Sequence, residues 1–580
     1  MKLKKIFTFI IALVVCLSLA ACGGKKKCEH RDANDDLKCD KCGQAYDDGA
    51  EQTGQHTCAD NNGDNKCDEC GKDVEGNQGT GSKVYQPKWD LNPTGWKGNG
   101  MSVKIKCLPV SEFDPFDVAY TGDSQEIKMR HQQLVQQAYD IKIKYVAWDD
   151  SEQWGPVRAS KVVENFTSGS YQEQDIYVVN IASNWIPTIV RSGALAELAS
   201  IKNGNVTGGI LANFNATEEK YIQDPTMNEV LSSSNKVFGI STSKATPDHF
   251  MYYNIALVES AGVEDPADLW FKGEWTLSKF KEWVAETQAN LPSGKFVLDL
   301  GYPEFAMGMV ASTGNQFVTV SPIQKVNLLE QGVTNVLKTI QTFYADGYYN
   351  ARGSQDVTDQ FKSGDTVVHH GSFWFIKADD RFNAQVNNLR LGVVPYPAAD
   401  GDNIVVEYTS DSEEAIIGSN GEPLMKDGQY VSGLDLSGAA FQVPYAGTSC
   451  YSILDYSNGK NGINAEIVAN ILIDLYAGQG ADPNQTEQIT EEQGFRIYLE
   501  TLFNREIDIE VVMSVYDKTY FELFENVSMT VGGGSHFGPD AFWPLCGSIC
   551  KDASIDPYTK LSEVYEKYRQ AMVDMGYNPR

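Results

Sequence analysis

The chain has 580 residues, a formal net charge of −30 and 42% hydrophobic residues. That apolar fraction excludes a wholly disordered chain, and the length implies several domains at roughly 100–200 residues each. The acidity argues against a nucleic-acid partner, whose phosphates would be repelled, and suits a solvated extracellular surface.

The N-terminus sets the compartment. MKLKK is a basic start, and the apolar run IFTFIIALVVCLSLA is too short and wrongly flanked for a membrane span, so it reads as a secretory signal. It ends in Leu19-Ala20-Ala21-Cys22-Gly23, which resembles a bacterial lipobox. Residues 1–22 are therefore expected to be a lipoprotein signal peptide, with Cys22 acylated and the mature chain held on the extracellular face of the cell membrane by its lipid. No later segment is apolar for long enough to cross a bilayer.

Next comes a repeated phrase. CEHRDANDDLKCDKCG (28–43) returns 28 residues later as HTCADNNGDNKCDECG (56–71). Cys39, Cys42, Cys67 and Cys70 keep their places, but Cys28 falls on His56 and His30 on Cys58. A disulfide cannot survive such an exchange, whereas a zinc site accepts thiolate or imidazole. The zinc reading takes Cys28, His30, Cys39 and Cys42, then His56, Cys58, Cys67 and Cys70. Against it, an exported protein normally oxidises its cysteines. A calcium reading with disulfides takes the alternate oxygens of Asp32, Asn34 and Asp36, and of Asp60, Asn62 and Asp64, as in the first half of a calcium loop, although the closing glutamate is missing. A polar spacer without an ion is the third reading. Gly-, Asp- and Gln-rich stretches flank both phrases, so residues 23–83 read as a flexible tether with two small stapled units.

From about residue 84 the pattern becomes globular. VKIKCLPV (103–110) alternates as a strand, 123–140 has helical spacing, IKIKYVAW (141–148) is a second strand and DIYVVN (175–180) a third. This β-α-β-α-β order predicts an α/β domain with a largely parallel sheet, whose ligands would lie beyond the carboxyl ends of the strands. Those ends carry Asp149 and Asp150, and Asn184 and Trp185.

Several later segments carry a resemblance. NIASNWIPTIVRSGALAELAS (180–200), KVFGISTS (236–243), MYYNIALVESAGVEDPADLWFKGEWTLSKFKEWV (251–284), FKSGDTVVHHGSFWFI (361–376) and LGVVPYPAADGDN (391–403) follow one another in order. Together they resemble the extracellular solute-binding proteins of ABC importers, family 1, the carbohydrate-type group. Ile255, Leu277 and the pair His369-His370 depart from the usual pattern. The resemblance implies a two-lobed periplasmic-binding-protein-like fold of type II with a hinge between its lobes. It implies lobe 1 at 84–247 plus 441–510, and lobe 2 at 248–440 plus 511–580. It also implies a monomer that captures a carbohydrate by lobe closure and passes it to the transmembrane subunits of a permease, without catalysis and without a cofactor in the body.

A sugar site needs flat aromatics for stacking, with carboxylates and amides for its hydroxyls. The resemblance places Trp374, Trp543 and the segment Tyr302, Glu304 and Phe305 toward the cleft. Trp185, Asn184, Asp149 and Asp150 join them as strand-end residues. Trp270 and Trp275 read as packing residues, and His369 and His370 as core or surface. Cys546 and Cys550, one helical turn apart, read as a disulfide or as two buried thiols, with the disulfide favoured; Cys107 and Cys450 read as buried thiols. A secreted glycan-acting enzyme, a metal-scavenging lipoprotein and a peptide binder are the rival readings. Neither G-x-S-x-G nor H-E-x-x-H occurs.

Overall fold

The computed structural model describes residues 85–580, apart from 123, 153–154, 203–208, 216–219, 224–226, 234–235, 242–245, 300, 321, 351–357, 379–380, 384–387, 446–448, 458 and 484–489. Cys22 and the Cys/His/Asp residues of both repeats lie outside the described residues. The chain divides into two compact units, Met1–Val84 and Tyr85–Arg580. The second of these contains two α/β lobes, each with its own sheet and its own core.

The first lobe is organised by four strands in the order 449–453, 176–182, 101–107, 141–147. Met101–Cys107 pairs in parallel with Ile141–Ala147 and with Ile176–Ala182, while Ser449–Ile453 returns antiparallel to the latter. Burial follows this order. IYVVNIA is buried along almost its whole length because it is flanked by strands on both edges and covered on both faces. IKIKYVA forms the edge; it buries Ile141, Ile143 and Tyr145 and turns Lys142 and Lys144 to solvent, where charge discourages further pairing. The first strand stops at Cys107, short of the 110 expected from alternation, because Pro109 has no N–H for the ladder.

The second sheet has the order 391–394, 249–254, 366–372, 296–298. His249–Asn254 is antiparallel to both of its neighbours, and Thr366–Ser372 is parallel to Phe296–Leu298. The three helices that follow His249–Asn254 begin where the sequence supplies caps. The side chains of Asn254, Asp265 and Thr276 each accept a backbone N–H in the first turn, of Leu257, Ala267 and Lys279. Such caps contribute about 1 kcal/mol apiece. Trp270 and Trp275 are core residues, as their setting suggested; their indole N–H groups donate to Ser514 Oγ (2.9 Å) and the Pro395 carbonyl (2.8 Å).

One core is built from residues 103–240 and 445–475, with Met529; the other from 250–443 and 495–575. The chain therefore crosses between lobes at 241–249, near 444, and at 476–494. At the junction, Val443–Tyr445 pairs in parallel with Thr519–Phe521, and Phe521 packs against both cores. The helices Glu491–Leu502 and Glu506–Ser514 place Phe495, Leu499, Ile507 and Val511 in the second core, so residues 491–510 belong with the second lobe and not with the first. The physical reason is their apolar faces, which the second core's Phe373 and neighbouring side chains cover.

Candidate functional site

The carboxyl ends of the first lobe's strands lead into the seam between the lobes. The strand 101–107 continues into the short helix Val110–Phe113, where Glu112 lies 3.4 Å from Lys377 Nζ of the second lobe. The strand 176–182 continues into the turn Ser183–Trp185 and the helix Ile186–Val190. Arg191, just beyond, donates to Thr530 Oγ1 of the second lobe at 3.4 Å.

Two of the expected tryptophans, one from each lobe, flank the same histidine at this seam. Trp185 is 8% exposed, and its indole lies on Gly155, where a Cβ would come within 2.7 Å of the ring. Its other neighbour is His536 of the second lobe, edge to face at 5.9 Å. His536 in turn lies 5.3 Å from the ring of Trp543, which Phe537 flanks at 5.6 Å. The helix Phe542–Cys550 that carries Trp543 is tied down where the Phe542 N–H donates to Ser528 Oγ (2.8 Å). Its preceding loop, GGGSHFGPD, turns through Gly533 and Gly534 at φ of +70° and +93°, a region that favours glycine. Asn184 Oδ1 and His536 Nδ1 are buried and find no hydrogen-bond partner among the described residues. Glu525 Oε1 lies 3.5 Å from His536 Nε2.

Trp374 lies on the one-turn helix Trp374–Lys377, whose Lys377 reaches Glu112. It is 50% exposed, with the Arg381 guanidinium over its ring at 5.0 Å and Phe375 against it at 4.3 Å. The rest of its indole is open to solvent, as a stacking surface requires.

Asp149 and Asp150 are exposed at the end of the strand 141–147. Behind them is a cluster that sequence reasoning did not single out. Lys106 and Glu152 form a buried ion pair at 2.5 Å, and Trp148 has Lys106 at 4.8 Å and Arg158 at 5.1 Å from its ring. Trp148 is buried and packed with cations, so it is not a stacking surface.

Tyr302 and Phe305 require correction. Both lie in the first turn of the helix Tyr302–Ser312 and are buried in the second core, Tyr302 against Tyr349 at 5.0 Å and Phe305 against His370 at 5.3 Å. This helix is buried nearly all round, so its aromatics pack inward. Glu304 is half-buried, 4.0 Å from His370 Nδ1. His369 and His370 are core residues; His369 Nδ1 meets the buried Asp299 carboxylate. Burial, with His369 alongside, holds His370 well below the ordinary imidazole range, and burial raises Asp299. Among the described residues no group of three His, Cys, Asp or Glu side chains is arranged to hold a metal. Cys546 and Cys550 are free thiols 3.7 Å apart, not a disulfide. Cys107 and Cys450 are buried thiols, both pushed up to about 12 by burial.

His536 and Glu525 were also missed. The available signal was the glycine-built loop immediately before DAFW, which fixes a histidine beside a candidate tryptophan.

No family model matches the chain, and no curated protein matches it. Among solved structures it is similar to the cyclic α-maltosyl-1,6-maltose binding protein of Arthrobacter globiformis, with 11% identity, 82% of this chain and 99% of that chain covered, and a TM-score of 0.48. It is also similar to the maltose-binding protein MalE of Listeria monocytogenes (14% identity, 82% and 98% covered, TM-score 0.47). A third is the GacH receptor of Streptomyces glaucescens (13%, 82% and 99%, TM-score 0.45). With likenesses this distant, the two-lobed α/β fold rests on the two sheets and two cores of the molecule itself.

Proposed function

We propose that the chain is the membrane-anchored, extracellular solute-binding component of an ABC importer, and that it captures a carbohydrate, of oligosaccharide size, between its lobes. The observation that carries this reading is that Trp185 and Trp543, one from each lobe, both lie against His536, with two buried polar atoms, Asn184 Oδ1 and His536 Nδ1, that have no hydrogen-bond partner among the described residues. Flat rings paired with unsatisfied hydrogen-bonding groups match the apolar faces and hydroxyls of a sugar. Groups drawn from both lobes also supply a mechanism. A solute that touches both lobes stabilises the closed form relative to the open one, and the crossings around the 443–445/519–521 ribbon are the hinge. The ordered run of motifs from 180 to 403 supports the same reading, with Trp374 as a second stacking surface and Asp149 and Asp150 as hydroxyl acceptors. Binding without turnover follows, and the closed monomer then engages a permease.

A thermal-shift screen against mono- and oligosaccharides tests this. A sugar at 100 times its Kd adds about 2.7 kcal/mol of stability. A response to peptides and to no sugar would sink the carbohydrate reading. The anchor rests on Cys22: a Cys22→Ala chain should leave the membrane fraction. The tether repeats are proposed to hold zinc, with calcium as the alternative. Elemental analysis under reducing conditions separates the two, and Cys39→Ser with Cys42→Ser should remove one equivalent of zinc.

A further inference from the structure

The histidine between the two tryptophans carries a buried polar atom that its ring contacts leave unsatisfied. His536 lies in the seam, edge to face with Trp185 and beside Trp543, with 12% of its side chain exposed. Its Nε2 faces the Glu525 carboxylate at 3.5 Å, while its Nδ1 is buried with no partner among the described residues. A buried polar atom without a partner is costly, and a fold tolerates it where a ligand supplies the missing bond. The loop holding it is tightly folded back on itself. A Cβ at Gly538 would come within 2.2 Å of the Gly532 carbonyl, so the two ends of GGGSHFG touch as only glycines allow.

We propose that His536 is a solute-binding residue whose Nδ1 accepts a hydrogen bond from a sugar hydroxyl, and that Glu525 is its positioning residue. This rests on the carbohydrate reading above. A carboxylate facing Nε2 favours the tautomer with the proton on Nε2, and that leaves the Nδ1 lone pair as an acceptor. The Nδ1 lone pair therefore selects for a hydroxyl that can donate, and it discriminates against a solute in which that hydroxyl is deoxy or methylated. Asn184 Oδ1, next to Trp185, presents a second acceptor from the opposite lobe. The seam then offers acceptors to a polyol from both sides and stacking surfaces at the tryptophans.

The test uses the full chain and a panel of gluco- and galacto-oligosaccharides, with binding measured by calorimetry. His536→Phe keeps the ring contacts with both tryptophans and removes the nitrogens. It should lower affinity for the bound sugar about tenfold or more while leaving the melting temperature without sugar nearly unchanged. His536→Gln, which retains an acceptor, should recover part of the loss. In 15N-histidine spectra, the resonance lost in His536→Phe identifies His536. Its Nδ1 should read as unprotonated, move when sugar saturates, and change its tautomer balance in Glu525→Gln. Equal affinity in wild type and His536→Phe, or an Nδ1 resonance that sugar does not move, overturns the proposal and leaves the carbohydrate reading standing. If no sugar in the panel binds wild type, the carbohydrate reading fails and this proposal fails with it.

Discussion

The seam has two aromatic ends, and they are built differently. At one end Trp185, His536 and Trp543 interlock across the lobes, with Trp185 8% exposed. At the other, Trp374 is half exposed on a one-turn helix, with Arg381 and Phe375 against its ring. A tryptophan at the seam can therefore be packed into the scaffold or left open to solvent. Packing, not residue type, decides which.

Substitution separates the two ends most sharply. Trp185→Ala should cost about 3–5 kcal/mol of stability without any sugar, because it empties a packed site, and Trp374→Ala less than about 1 kcal/mol. Chemical denaturation measures both, and comparable losses would erase the distinction. Between the ribbon strand Thr519–Phe521 and the helix Phe524–Val531, Glu522 is buried and accepts the Phe524 N–H at 3.0 Å and the Tyr520 hydroxyl. Burial raises its carboxyl from 4.5 to about 7. The folded chain thus holds a proton that the unfolded chain releases between those values. The group's contribution to stability is complete below pH 4.5 and is lost as pH rises through about 7, a change of about 3 kcal/mol at most. Glu522→Gln should flatten that fall in a pH series of melting curves, and an unchanged slope would remove Glu522 as its source. Next in size, Trp374→Ala should weaken sugar binding about tenfold by calorimetry, the loss of one stacking face. Smallest of all, Glu112→Gln should change stability by under about 1 kcal/mol, because its pair with Lys377 is open to water and screened by salt.

Much of this was legible in the sequence, for identifiable reasons. The strands at 101–107 and 141–147 and the helix Gln125–Tyr139 follow from alternation and helical spacing, since each has one dominant buried face, and the strand at 176–182 follows from its unbroken apolar run, since it is buried on both faces. Trp185 and Asn184 were reachable because a parallel sheet delivers its strand ends to the ligand side. Tyr302 and Phe305 were misplaced because motif resemblance aligns a segment without saying which way its helix turns, and an apolar helix buried on every side gives no contrast. His536 escaped because a glycine loop has no periodicity to read, and its partner Glu525 lies on the preceding helix, Phe524–Val531. The helices 491–514 were assigned across the boundary because their apolar faces fit either core on pattern alone.

Calorimetric titration of oligosaccharides into the wild-type chain and into Trp543→Ala tests the central claim most directly. The account predicts one sugar bound per chain in the wild type, with affinity reduced about 100-fold in Trp543→Ala. Sugar binding that Trp543→Ala leaves unchanged, or no sugar binding at all, would contradict it.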